Sequence, residues 1–137
     1  MIVGAVSGIP AAQLVPWCAS ARNHYRGPML LLTDTPANYV ELTDRYGMDL
    51  WACELRTPSE GVCGIARTRW KALADALADI QPSLPVVFAD TRDVIFQGDP
   101  TLAIDGTLVI GTEAKPHKVN QWCMAWLSYL LPAADVM

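Results

Sequence analysis

The chain has no excess of cationic side chains: 10 Lys and Arg stand against 14 Asp and Glu in 137 residues, a formal net charge of −4. That balance excludes broad, sequence-independent binding to nucleic acid, which needs clustered Lys and Arg to displace counterions from phosphates. An anionic ligand would require a local cationic site instead. Also missing is any C-x-x-C pair among Cys18, Cys53, Cys63 and Cys123, or a His at zinc-finger spacing from one of them. The four cysteines are therefore read as buried thiols of a reducing cytoplasm and not as a metal or disulfide framework. No uninterrupted apolar run approaches the roughly 20 residues of a membrane span. The opening Met1 to Ser7 lacks a basic flank, and Gly8, Pro10 and Gln13 interrupt it before it resembles a secretory segment. A cytoplasmic protein without a transmembrane segment is expected. Repeats, low-complexity tracts and long linkers are absent as well, so residues 1–137 read as a single domain.

What is present is apolar. At 52 % the hydrophobic fraction exceeds the roughly 45–50 % of an average soluble domain, which suggests surface meant for a missing partner or segment. The chain stops at Pro132-Ala133-Ala134-Asp135-Val136-Met137, directly after an apolar stretch, and the expectation is a domain truncated at its C-terminal end.

Short apolar runs alternate with longer amphipathic ones, the pattern of βαβ units around a parallel sheet. Strands are expected at Ile2 to Val6, Met29 to Thr33, Leu50 to Leu55, Val86 to Ala89 and Leu108 to Gly111. Helices are expected across Ala11 to Tyr25, with Pro16 kinking it or marking its effective start, and across Pro36 to Tyr46. The second is bracketed by Thr35 as N-cap, Pro36 at the first helical position and Gly47 in the left-handed conformation past its end. A long helix is expected from Val62 to Ile80, with Val62, Ala66, Arg69, Leu73, Leu77 and Ile80 on one face, and a last one from His117 to Leu131.

The sharpest chemical signal is the run Val86-Val87-Phe88-Ala89-Asp90-Thr91-Arg92-Asp93, an apolar strand that ends on two carboxylates. Desolvating such groups is costly unless they are paired, hydrogen-bonded or coordinated to a cation, and the mouth of a parallel sheet is where α/β proteins place ligands. Two hard oxygens on one turn suit Mg²⁺ or Mn²⁺ completed by water and substrate phosphates. The bland reading is an Asx-turn with Arg92 as counter-ion. Arg69 is the second anomaly, because it falls inside the apolar stripe of the long helix. It either reaches a ligand or covers the core with its stem while its head stays in water. Arg67 shares the opposite stripe with Lys71, Asp75 and Asp79, which reads as a solvated face. Asp99-Pro100 reads as an N-cap followed by Pro at N1.

The string Asp90-Thr91-Arg92-Asp93-Val94-Ile95-Phe96-Gln97-Gly98-Asp99-Pro100 resembles the strand-end motif of GT-A glycosyltransferases, particularly groups with a D-x-R-D-x-x-F-Q-x-D-P pattern. The order of elements through about Val109 is similar too. The resemblance implies a three-layer, Rossmann-like nucleotide-sugar-binding half with a mostly parallel sheet. It also implies a Mn²⁺ or Mg²⁺ ion bridging the diphosphate of a nucleotide-sugar donor, and transfer of the sugar to the hydroxyl of an acceptor that the sequence does not identify. The family's usual motif is D-x-D; with Asp93 in the second acid's place, Asp90 is offset by one residue. Asp93 is then the firmer metal ligand, and Asp90 binds the metal, the ribose or an intervening water. Ser7 and Gly8, just after the first strand, lie where such proteins approach the nucleotide, although a plain strand-to-helix turn would use the same residues. Arg69-Trp70 matches an Arg-aromatic pattern that reaches the donor pocket. Two other classes stay open. A nucleotidyltransferase would normally place a Gly-rich basic phosphate loop where Ser7-Gly8-Ile9-Pro10 stands without Lys or Arg; a non-catalytic Rossmann-like interaction domain would use Asp90 and Asp93 only to cap a loop.

Overall fold

The computed structural model describes residues 1–56, 61–78, 80 and 84–104, and within them not the side chains of 61–67 and 103. All lie in the compact unit Met1–Asp105. The fifth strand, the last helix and Cys123 fall outside the described residues, as do the side chains of Cys63 and Arg67.

The elements are β1 (Ile2–Val6), α1 (Ala11–His24), β2 (Met29–Thr33), a 3₁₀ turn (Pro36–Tyr39), α2 (Val40–Tyr46), β3 (Asp49–Ala52), α3 (Gly61–Leu77), β4 (Val87–Phe88) and a second 3₁₀ turn (Pro100–Ala103). The four strands form one parallel sheet in the order β3-β2-β1-β4. Successive side chains of a strand face opposite ways, and the sequence loads both faces. Ile2, Val6, Met29 and Leu31 pack on one side with Leu14, Trp17, Cys18 and Ala21 of α1 and Leu42 of α2. Val3, Leu30 and Leu32 pack on the other with Leu55 and with Ala72 and Ala76 of α3. Three layers follow, as the alternation of short and long apolar segments implies for an α/β domain.

Several boundaries differ from the sequence reading. Pro16 lies within α1, which begins at Ala11, five residues earlier; a buried apolar face outweighs the one backbone bond that proline removes. The helix expected over Pro36 to Tyr46 is split, because Thr35 does not cap it through its side chain and the first turn is 3₁₀. Instead the Thr35 amide donates to Thr33 Oγ1 and Asn38 N–H donates to Thr35 O. Gly47 does adopt the left-handed conformation at φ 58°. β3 stops at Ala52, α3 at Leu77 and β4 spans two residues. In each case apolar character continues beyond the last ladder bond, as Leu55 shows by being fully buried without being in a strand.

Cys18 is fully buried on the face of α1 that packs against the sheet, and desolvation pushes its thiol pKa up to about 11. It is expected to stay unalkylated by iodoacetamide at pH 8 while the fold persists and to react after unfolding in urea. Peptide mass mapping reads this out; native labelling at the rate of an open thiol would contradict the packing of α1. Cys53 is also a free thiol but is only half-buried.

Candidate functional site

Strand order reverses beside β1: β2 and β3 extend the sheet to one side and β4 to the other. In open α/β sheets this is where a crevice forms at the carboxyl ends of the strands. Ser7 and Gly8 leave β1 there, and Asp90, Thr91 and Asp93 follow β4.

The acidic turn is fastened from beneath. Thr91 is buried and its hydroxyl donates to Ala5 O at 3.1 Å, which ties the residue between the two carboxylates to β1. Three residues past Asp93, Phe96 is buried and meets Trp17 edge-on with ring centroids 5.9 Å apart. Its amide donates to Ser20 Oγ at 3.1 Å, and that hydroxyl donates to Trp17 O. Farther along, the Asp99 carboxylate accepts from the Thr101 amide and hydroxyl at 2.9 and 2.6 Å, which holds its pKa below the usual range. Asp99 and Pro100 thus open the second 3₁₀ turn as an N-cap and N1 pair. Much of the motif is anchorage, and it leaves Asp90 and Asp93 at the surface.

Arg69 comes to this place from α3. Residues 69, 72, 73 and 76 share one helical face, and Ala72 and Ala76 are buried. The guanidinium lies 5.6 and 5.8 Å from the ring centroids of Trp70 and Phe88, and its Nη1 forms an ion pair with Asp90 Oδ1. Arg69 is therefore tied to the acidic turn, with its guanidinium seated beside the Trp70 and Phe88 rings. Its Nε is buried and finds no acceptor among the described residues.

The β1 side has its own polar groups, and Asp34 and Arg56 were not singled out from sequence. Ser7, nearly buried, donates to Asp34 Oδ2. Arg56 lies across Gly8 so closely that a Cβ at that glycine would meet the guanidinium Nη2 at 1.7 Å; Gly8 also has φ 66°. Gly8 is thus required by its dihedral, whereas the Arg56 guanidinium is the far end of a flexible side chain and can swing aside. Tyr39, wholly buried, donates to Ile9 O at 2.7 Å and pins the loop that follows. Gly8, Ile9, Pro10, Ala11 and Asn38 line an open cleft of ≈ 420 Å³. Asp34 carries the same signal as Asp90, an acid directly after a buried strand; Arg56 and Thr91 carry none that spacing reveals.

A divalent cation requires several oxygens, and among the described residues no group of three or more His, Cys, Asp or Glu converges. The acidic turn fits such an ion only as a two-carboxylate site. Asp93 is exposed and without a partner among the described residues, and Asp90 is engaged through Oδ1, leaving Oδ2 to coordinate. That donor set suits an ion that keeps several waters and takes the rest of its shell from phosphate oxygens. Comparison of the chain with family models, curated proteins and solved structures gives no match.

Proposed function

We propose that this site binds a nucleoside-diphosphate sugar together with Mn²⁺ or Mg²⁺ and transfers the sugar to an acceptor hydroxyl. The observation that carries the reading is the meeting of Arg69 with Asp90 at the strand mouth where the sheet order reverses. A cation and a planar fork of N–H donors set side by side match a diphosphate, which needs both charge neutralisation and several hydrogen bonds. Asp93 and Asp90 would hold the ion. When bound, the ion neutralises charge on the departing diphosphate. Arg69 holds and orients the same group, which favours the oxocarbenium-like state through which sugar transfer passes. Gly8 and the Ser7–Asp34 pair offer a close-approach backbone and polar edge for the nucleoside.

The test is thermal stabilisation of the protein by UDP or GDP with Mn²⁺. A ligand at 100 times its dissociation constant stabilises by about 2.7 kcal/mol, a shift readily seen in a melt. Asp93→Ala is expected to abolish the Mn²⁺-dependent part without lowering the melting temperature of the unliganded protein, and Asp90→Ala to weaken it less. Arg69→Ala is expected to cost about 1.5–3 kcal/mol of nucleotide affinity through the lost charge-assisted bonds. Equal Mn²⁺-dependent shifts in the wild type and the Asp93 variant would overturn the reading.

A further inference from the structure

We propose that the Arg69–Asp90 ion pair is a latch between the cation-binding and anion-binding halves of the site, so that each ion opens the place of the other. The inference rests on the diphosphate reading above and adds to it an order of events. The group expected to hold the anion and a group expected to hold the cation are bonded to each other. A cation that draws on both oxygens of Asp90, or an anion that takes Nη1 of Arg69, has to separate the pair.

Two observations make the closed pair a resting state and not a finished structural bridge. Arg69 uses only Nη1 toward Asp90, while its Nε is buried with no acceptor among the described residues. Five N–H donors are thus poorly served by one carboxylate oxygen, and an anion with several oxygens on adjacent centres would serve them better. The pair is also open to solvent on the acid's side, with Asp90 58 % exposed against 26 % for Arg69. A hydrated cation can therefore approach Asp90 from water, while Arg69 remains seated over Trp70 and Phe88. A diphosphate that takes Arg69 releases Asp90 for the cation; a cation that takes Asp90 releases Arg69 for the diphosphate. By linkage the coupling is the same in both directions.

The experiment reads each half without catalysis, by calorimetry on the whole chain. Mn²⁺ alone should bind Arg69→Gln roughly five- to tenfold more tightly than wild type, because the competitor for Asp90 is gone. Arg92→Gln removes the same charge from within the acidic turn without touching the pair, and its gain should be smaller. In the metal-free converse, inorganic diphosphate should bind Asp90→Asn more tightly than Asp93→Asn, although both remove one negative charge. The second arm rests on an exposed residue and stands if Arg69→Gln fails to fold. Equal effects of the paired and control substitutions would overturn the latch and leave the ion site standing as a set of independent charges. Absence of both Mn²⁺ and diphosphate binding from every variant and from wild type would overturn the latch and the proposed function together.

Discussion

Gly4→Ala is expected to destabilise the protein by about 2–4 kcal/mol, the upper range for overpacking a filled core, and to displace the acidic turn. Gly4 lies in the middle of β1 on the face covered by α1. A Cβ there would sit 2.4 Å from Thr91 Cγ2 and 3.0 Å from Trp17 Cζ2. Neither neighbour can yield cheaply. Trp17 is 1 % exposed, and the Thr91 methyl is fixed by a branched side chain whose hydroxyl is bonded to Ala5 O. Thr91→Ser removes the offending methyl and keeps the hydroxyl, so the double variant should recover a large part of the loss. Urea melts of the four proteins give the coupling directly. Additive effects would show that Gly4 and Thr91 do not press on each other. The clash would reach the site because Thr91 stands between Asp90 and Asp93.

Arg22→Gln is expected to cost about 2–4 kcal/mol, for a reason unrelated to ligand. The half-buried guanidinium donates from Nε to Tyr46 O at 2.7 Å, from Nη1 to Gly27 O at 2.9 Å and to Tyr25 O at 3.3 Å, and from Nη2 to Gly47 O at 2.7 Å. It therefore closes the C-terminal ends of two helices, α1 and α2, with one side chain. Carbonyls at helix ends lack partners within the helix, and hydrogen bonds to a charged donor contribute about 1.5–3 kcal/mol each before the entropy of ordering is counted. Arg22→Lys should recover little, since a single ammonium cannot span four acceptors set by a planar fork. Because the acceptors are neutral, the loss should be nearly the same at 0.05 and 0.5 M salt. A strongly salt-dependent loss would point to charge repulsion in place of the carbonyl clamp.

These two residues also mark how far sequence reaches into this fold. The parallel α/β class was legible because strands buried on both faces must be apolar almost throughout, as Met29 to Leu32 are, and the intervening helices carry their own apolar stripe. Two members of the candidate site stood out where a charge interrupted such a pattern: Asp90 at a strand end and Arg69 in a helical stripe. Their pairing was not legible, since 21 residues separate them and only the packing of α3 beside β4 brings them together. Arg22 lies near the end of α1, and nothing in its spacing reveals its four backbone acceptors at Tyr25, Gly27, Tyr46 and Gly47. Nothing in the spacing of Thr91 reveals that it packs over Gly4 and bonds to Ala5 O. Strand limits were hard to place because apolar character outlasts hydrogen bonding, as at Leu55.

The unequal flanks of β1 grade the free energy of local opening across the site. β2 pairs with β1 at five positions and β4 at only two. Amide bonds from Val87 to Met1 O and from Ala89 to Val3 O join the β4 side, and the terminal amine of Met1 adds one to Pro85 O. The Ser7 side can therefore come apart only with the central ladder, whereas the Asp90 side can part from the sheet in a smaller, sub-global step. A ligand spanning both sides would bind a firm wall and a yielding one. It would slow amide exchange chiefly in β4, and part of its binding energy would go into holding that strand against β1.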